Sequence, residues 1–202
     1  LVYPVIVKPA CMDASHGIDD SNVVPDEASA RAKAKELIGR FPPSVLIENY
    51  VDGNDALVAL IQEQAGVRPT VLPLGMIDFQ IAPGRPRVST FASKWEVGTE
   101  YFEKTIGVYP APFSPKLARR IAEVSVAAFE ALGCRDYARV DVRIDWDENP
   151  YILEVNPNPC MTPGVGIARA AGLAGWTYEA LVQRFVKNAE ERGPLSPLPR
   201  SR

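Results

Sequence analysis

One histidine and three cysteines among 202 residues leave little material for imidazole or thiolate chemistry. His16 and Cys11 are too few to hold zinc in its usual tetrahedral nitrogen and sulfur coordination. Cys160 has no histidine or aspartate pattern around it of the kind that activates a thiol nucleophile. An odd, sparse cysteine set argues against a disulfide framework and fits a reducing cytoplasm, the compartment expected here. No apolar run approaches the roughly 18 to 20 residues of a membrane span, and no signal peptide is visible. Neither a Walker A motif nor a GxGxxG is present. The net charge of -3 and pI near 5.3 give no bulk attraction to nucleic acid or to an anionic membrane, although a small basic pocket can still hold phosphates.

What the chain has is enough apolar material, 47% of its residues, to bury a core for one large domain or two small lobes. Its opening, LVYPVIVKPA, lacks an initiator Met and starts at a strand, so a piece preceding residue 1 is expected. Val5 to Val7 reads as a short strand leading into the small and polar loop CMDASHGIDDSN. PDEASARAKAKELIGRF is predicted as a helix, acidic early and basic late as its dipole favours. VLIENYVDG is another strand. ALVALI, TVLPLGMIDF and RVSTFASKW are predicted to be strands of an antiparallel sheet. Ser114 and Pro115 cap and open a helix whose apolar stripe is Leu117, Ile121, Val124, Ala128 and Leu132, closed by Gly133. RVDVRID and YILEVN follow as strands, YEALVQRFVKNAEERG as a last amphipathic helix, and PLSPLPRSR as a linker or disordered tail.

The strand period of two puts Arg139, Asp141 and Arg143 on one face, with Val140, Val142 and Ile144 on the other. It likewise groups Ile152, Glu154 and Asn156. With DWDENP as the hairpin turn, Asp141 faces Glu154 and Arg139 faces Asn156. Directly paired residues have Cβ atoms only about 4.5 to 5.5 Å apart, and like charges there are destabilising. Something positive belongs between the two acids. On the residues alone this is either Arg139 and Arg143 in a solvated ion-pair ladder, or a hard divalent cation such as Mg²⁺, which takes oxygen ligands.

Other features bear on that choice. Lys8 ends a strand and leads into DASHGI, whose small residues let backbone approach an anion. Glu48 ends VLIE, where a strand end can offer polar groups to an adenine edge. Lys94 in FASKW can reach a phosphate or decorate a ribbon. His16 either covers a phosphate or faces solvent. In their order along the chain, VIVKPA, DASHGI, VLIENYVDG, SKW, ALGCRDYARVDVRID, YILEVNPNP and CMTP resemble the ATP-grasp superfamily, specifically its D-alanine-D-alanine ligase-like branch, from residue 1 to about residue 186.

That resemblance implies an α+β ATP-grasp fold, two α+β lobes with ATP held between them. Residues 1–53 would be a partial central lobe, 54–192 the C-terminal lobe with the metal site, and 193–202 a Pro-rich tail. It implies ATP with two Mg²⁺ ions, Mn²⁺ being a substitute, and Asp141, Glu154 and Asn156 as metal ligands. Lys8 and Lys94 would contact phosphates, Glu48 and the backbone at Val51 would hold adenine, Asp55 would lie near the ribose, and Ser15 and Leu153 would also belong to the ATP site. Arg139 would stabilise a tetrahedral oxyanion, helped by the backbone N–H of Cys160, with Lys94 sharing catalysis. The implied reaction joins a carboxylate to an amine through an acyl phosphate, releasing ADP. Its partners would be amino-acid-like substrates and an N-terminal domain outside this sequence, with a homo-oligomer left open. A small-molecule kinase on the same scaffold and a silent nucleotide-binding module are the alternatives.

The chain also departs from that pattern. Ala14-Ser15 stands where the branch has two serines, and Trp95 where it has the tyrosine that meets the first of them to close a lid. Cys160 replaces glycine, and Val165 replaces the serine that holds the second substrate's carboxylate. A more apolar acceptor pocket is expected.

Overall fold

The computed structural model describes residues 1–41 and 44–193, so the expected tail lies, past Gly193, outside the described residues. Two compact units divide the chain. The first gathers Leu1–Asn54, Ile77–Gly107 and Ile144–Asp147; the second gathers Asp55–Met76, Val108–Arg143 and the described residues from Glu148 on. The chain therefore passes between the units several times.

In the first unit, β1 (Val5–Pro9) is the centre of an antiparallel sheet, flanked by β2 (Val23–Val24) and, beyond a helix α1 (Glu27–Arg40), by β3 (Val45–Asn49). Cα partners Val5↔Asn49, Val7↔Ile47 and Pro9↔Val45 set one face, and Ile6↔Glu48 and Lys8↔Leu46 the other. The first face is apolar: Val5, Val7, Val24, Ala30 and Leu37 form a buried cluster, with Val45, Ile47 and Phe41 packed against it. Burying each such Val or Leu side chain contributes about 1.5–3 kcal/mol. Asp26 caps α1 by accepting the Ser29 N–H at 2.8 Å, which is the start signal that PDEAS carries. Lys8 and Glu48 are left on the outer face.

The chain continues through β4 (Asn54–Ile61), β5 (Thr70–Val71) and β6 (Gly75–Phe79), so the apolar run TVLPLGMIDF is two strands interrupted at Pro73, which has no N–H for a ladder. RVSTFASKW is not a strand. Its second half is a short helix, α2 (Phe91–Trp95), because Thr90 accepts the Ser93 N–H at 3.0 Å and Ser93 Oγ returns a 2.7 Å bond to the Thr90 carbonyl. A hydroxyl cap of this kind competes with strand pairing, and the β-branched and aromatic content hid it. A second short helix, α3 (Glu100–Lys104), and β7 (Thr105–Val108) follow.

The second unit is built on α4 (Pro115–Ala131), β8 (Tyr137–Ile144), β9 (Pro150–Asn156), α5 (Gly166–Leu173) and α6 (Tyr178–Arg192). Ser114 caps α4 through the Leu117 N–H at 3.2 Å, with Pro115 in the first turn. The helix buries Leu117, Ile121, Ser125, Val126 and Phe129. Of the expected stripe, Leu132 is instead 66% exposed, because it is the C-cap and no longer follows the helical face. The large sheet has strand order β7-β6-β4-β8-β9, with β5 paired to β4. Ala138, Val140, Val142 and Ile144 are buried on β8 while Arg139 and Asp141 are only half-buried, as alternation requires. A core of Ala59, Ile61, Leu72, Ile167, Ala170, Ala171 and Leu181 joins the sheet to α5 and α6. Among the described residues no helix is long and apolar enough to cross a membrane.

Candidate active site

In the first unit, Lys8 Nζ lies 2.5 Å from Glu48 Oε2. The two belong to neighbouring strands, and the pair is diagonal across the outer face of the β1/β3 ladder. Beyond β1 the loop runs through Ala14 and Ser15 with φ of 52° and 62°. Left-handed backbone at two consecutive non-glycine residues is uncommon and persists only where its surroundings enforce it. The enforcement is visible. Ser15 Oγ donates to the Ser89 carbonyl at 2.6 Å, the Trp95 indole N–H donates to the Ala14 carbonyl at 3.1 Å, and Phe91 N–H donates to the Ile18 carbonyl at 3.0 Å. The His16 ring packs on Phe91 with centroids 4.7 Å apart. From below, Asn22, almost fully buried, donates to the carbonyls of Val7 at 2.6 Å and Gly17 at 2.9 Å.

Segment 50–53 is fixed as firmly. The Arg87 N–H donates to Tyr50 Oη at 2.8 Å, and the Tyr50 hydroxyl meets Asp52 at 3.2 Å. Asp52 also accepts the Trp146 indole N–H at 3.0 Å, and the Arg87 guanidinium lies 4.9 Å from the Trp146 ring centre. Burial works against the Asp52 charge, but these donors and Arg87 overcome it and hold its carboxyl below the usual range. Gly53, at φ 154°, has no room for a side chain: a Cβ would stand 1.8 Å from the Ile144 carbonyl oxygen. Val51 is half-buried within this segment, Lys94 stands exposed on α2, and Trp95 is 58% exposed.

In the second unit, Arg139 bridges the two carboxylates. Its Nε and one terminal nitrogen donate to the two oxygens of Asp141 at 2.6 and 2.8 Å, and the same terminal nitrogen reaches Glu154 Oε1 at 3.3 Å. Burial opposes the Arg139 charge, yet the Asp141 bonds outweigh it and raise the guanidinium pKa. Asn156 Oδ1 accepts the Asn158 N–H at 2.9 Å. Cys160 donates through sulfur to Thr162 Oγ1 at 3.1 Å; this hydroxyl, then the Thr162 backbone N–H, and last the field of Arg139, lower the thiol pKa against burial. Arg143 lies 2.7 Å from Asp55, both side chains under 10% exposed, so its charge is met within the second unit. Asp55 is 5% exposed in that pair, a core position that offers little surface to a ribose. Leu153 lies on the other face of β9 from Glu154 and is 44% exposed.

Two carboxylates and an amide carbonyl are hard oxygen donors, and their chemistry fits Mg²⁺. Among the described residues no three Asp, Glu, His or Cys side chains converge on one point, so a cation held here would depend on Asn156 and on oxygens from a substrate. Asn22, Arg87, Tyr109, Trp146 and Arg169 escaped the sequence reading. They are isolated polar or aromatic residues whose partners are distant in the chain, and no periodicity announces them.

A family model described as D-ala D-ala ligase C-terminus matches residues 1–187. The chain belongs to this family. It is 33% identical over 192 residues to an uncharacterized protein, y4sG, of Sinorhizobium fredii, covering 95% of this chain and 54% of that one. It is 31% identical over 193 residues to a D-alanine–D-alanine ligase of Synechococcus sp., covering 96% and 54%. This member of the ligase family thus spans about half the length of the curated relatives it matches. Among solved structures, the D-alanine–D-alanine ligase of Bacillus anthracis complexed with ATP superposes with a TM-score of 0.68 at 24% identity, over 95% of this chain and 55% of that one. VanG D-Ala:D-Ser ligase of Enterococcus faecalis gives 0.72 at 20% identity, over 93% and 50%. The fold is ATP-grasp.

Proposed function

We propose that the full-length protein is an ATP-dependent carboxylate-amine ligase. The observation that carries this reading is Arg139 held between Asp141 and Glu154, a basic centre flanked by two carboxylates on one strand face. In the proposed reaction a carboxylate oxygen attacks the γ-phosphorus of ATP and ADP leaves. The amine then attacks the acyl carbon, and inorganic phosphate leaves. Asp141, Glu154 and Asn156 would hold Mg²⁺, which neutralises phosphate charge when bound. Lys8, Ser15 and Lys94 serve the phosphates, Glu48, Val51 and Leu153 the base. Phosphoryl transfer asks the protein mainly for positioning and charge neutralisation, so no side-chain nucleophile is needed. Arg139 meets the charge that develops on the acyl oxygen, and the backbone N–H of Cys160 assists it.

The family matched by residues 1–187 and the ATP-bound relative support this reading. Val165 and Cys160 lie on exposed backbone where a hydroxyl and a glycine were expected, so D-alanine is proposed to be a poor acceptor. The test is ADP release by the full-length protein across an amino-acid panel, with mass detection of products. ADP release that needs both an acid and an amine supports the ligase. A stable phosphorylated product without ligation would make it a kinase, and tight ATP binding without turnover a silent module.

A further inference from the structure

The sequence APGR at 82–85 specifies a tight turn. The Arg85 N–H donates to the Ala82 carbonyl at 3.3 Å, with Pro83 second and Gly84, at φ 85°, third, the arrangement that a type II turn requires. The turn sets one arginine between two acids of different elements. Arg85 donates from Nε and one terminal nitrogen to Asp20 Oδ2 at 3.1 and 2.7 Å, and from its other terminal nitrogen to Glu100 Oε2 at 2.8 Å. Its Cζ also lies 4.4 Å from the centre of the Tyr101 ring, a residue 7% exposed. Burial, and after it the charge of Asp20, push that phenol up to about 12, so the ring is a neutral platform. A guanidinium stacked on a ring and engaged at all three nitrogens is fixed in plane and direction, unlike the arginine of an ordinary surface pair.

The two acids belong to parts of the first unit that bear on the phosphate loop. Asp20 lies in a short 3₁₀ turn, Asp20–Asn22, that is itself a fixed post. Asp19 caps it by accepting the Ser21 N–H at 2.8 Å, Lys33 of α1 donates to Ser21 Oγ at 2.8 Å, and Asn22 beneath holds the carbonyls of Val7 and Gly17. Glu100 opens α3. The link from α2 to α3 is tight, because the Thr99 N–H and hydroxyl both donate to the Glu96 carbonyl, at 3.2 and 2.8 Å. Helix α2, which carries Lys94, therefore follows α3. It meets the loop directly through the Phe91 N–H on Ile18 and the Trp95 indole on Ala14, and Arg85 adds a connection through α3.

We infer that Arg85 is a positioning residue for the phosphate end of the nucleotide site: by bridging Asp20 and Glu100 it holds α2, and with it Lys94, against the loop that carries Ser15. The inference rests on the reading that Ser15 and Lys94 serve the phosphates. Arg85 acts through the two acids and not on phosphate, since they engage its three nitrogens. Without the guanidinium the acids that it gathers repel, and the force parts α3 from the post. A sign separates this role from a simple field effect. Deleting an acid near bound phosphates strengthens their binding on electrostatics alone, whereas deleting an acid of the bridge weakens it.

The experiment uses full-length protein, with Mg²⁺ and the β,γ-imido analogue of ATP as the probe. Calorimetry would compare wild type with Arg85→Gln, Arg85→Lys, Asp20→Ala and the Asp20→Ala/Arg85→Gln double variant, and hydrogen exchange would follow the free proteins. Arg85→Gln and Asp20→Ala are each expected to weaken analogue binding about fivefold or more, with Arg85→Lys intermediate. The double variant should fall within about twofold of Arg85→Gln, because both changes break one bridge. Amides of residues 91–104 should exchange faster in Arg85→Gln, while β1 and β3 keep their protection. Should Arg85→Gln unfold, Arg85→Lys and Asp20→Ala carry the test. Unchanged analogue affinity in Arg85→Gln, tighter binding in Asp20→Ala, fully additive losses, or unchanged exchange at 91–104 would each overturn the assignment. If the variants respond as expected but the protein never joins an acid to an amine, the bridge stands and the ligase reading falls. Ligation by a protein whose analogue affinity ignores all four variants does the reverse, and a wild type that binds no analogue overturns both.

Discussion

Arg143 Nε stands 2.7 Å from Asp55 Oδ1, with side-chain exposures of 6% and 7%. One arginine of RVDVRID is thereby spent inside the second unit, while Arg139, four residues earlier, serves the carboxylate face. Removing one partner of a buried pair leaves an uncompensated charge, which typically costs about 3–5 kcal/mol, whereas replacing both with apolar residues is often neutral. Arg143→Met is therefore expected to lower unfolding free energy by about that amount, and Arg143→Met with Asp55→Leu to recover most of it. Denaturant unfolding of the two variants checks this. A single variant as stable as wild type would show that the pair contributes nothing.

Asp141 and Glu154 share the Arg139 guanidinium. Asp141→Asn and Glu154→Gln should each abolish Mg²⁺-dependent turnover in the full-length protein while thermal unfolding stays close to wild type, since Arg139 keeps the other acid as partner. Turnover as a function of Mg²⁺ and a melting curve are the two measurements. Near-normal activity in both variants would remove them from the metal site.

Lys8 and Lys94 should behave as phosphate contacts. A charge-assisted hydrogen bond is worth about 1.5–3 kcal/mol, so Lys8→Ala and Lys94→Ala are each expected to reduce kcat/KM for ATP by about tenfold or more. Neither side chain is buried in a core cluster, and melting should barely change. Wild-type kinetics in either variant would make that lysine a surface residue.

The loop at 13–18 is tied to the segment at 89–95 by the Trp95 indole on the Ala14 carbonyl, the Ser15 hydroxyl on Ser89, and the His16 and Phe91 rings. Trp95→Phe removes one of these ties without removing the ring. Faster amide hydrogen exchange at His16 to Ile18 and a raised KM for ATP are expected. Unchanged exchange would mean that Ser15 and His16 suffice to hold the loop.

Much of this architecture was legible because it is local. The alternation of RVDVRID gives the buried valines and the outer Arg139 and Asp141; the Ser114-Pro115 start gives α4; Lys8 and Glu48 read as strand residues, and adjacent strands carry them. Other parts depend on partners far along the chain. Nothing near Asp55 announces Arg143, and nothing near Gly75 announces the Tyr109 ring. FASKW failed as a strand because a hydroxyl cap at Thr90 outweighed composition that favours sheets. The metal set read as a facing pair, but the structure adds that Arg139 occupies the space where the two acids would otherwise repel.

Cys160 offers a test by pH. Its thiol donates to Thr162 at 3.1 Å, and on ionisation the hydroxyl can turn to donate to the thiolate, which is the chief reason its pKa lies below the ordinary cysteine range; the Thr162 backbone N–H, which Thr162→Val retains, and then the Arg139 field add to this. Cys134 is shifted the other way, upward, by burial. A lowered pKa means more thiolate at any pH between the shifted and ordinary values, so alkylation of Cys160 should begin at lower pH than alkylation of Cys134. Thr162→Val removes the donor and should move the Cys160 profile to higher pH, while the Cys134 profile stays in place. Iodoacetamide labelling followed peptide by peptide with mass detection gives both profiles in one experiment. Because the Cys160 backbone N–H is proposed to face the acyl oxygen, labelled full-length protein should also lose turnover in proportion to Cys160 modification. Cys160 labelling no earlier than Cys134, or a profile unmoved by Thr162→Val, would show that the hydroxyl does not govern this thiol.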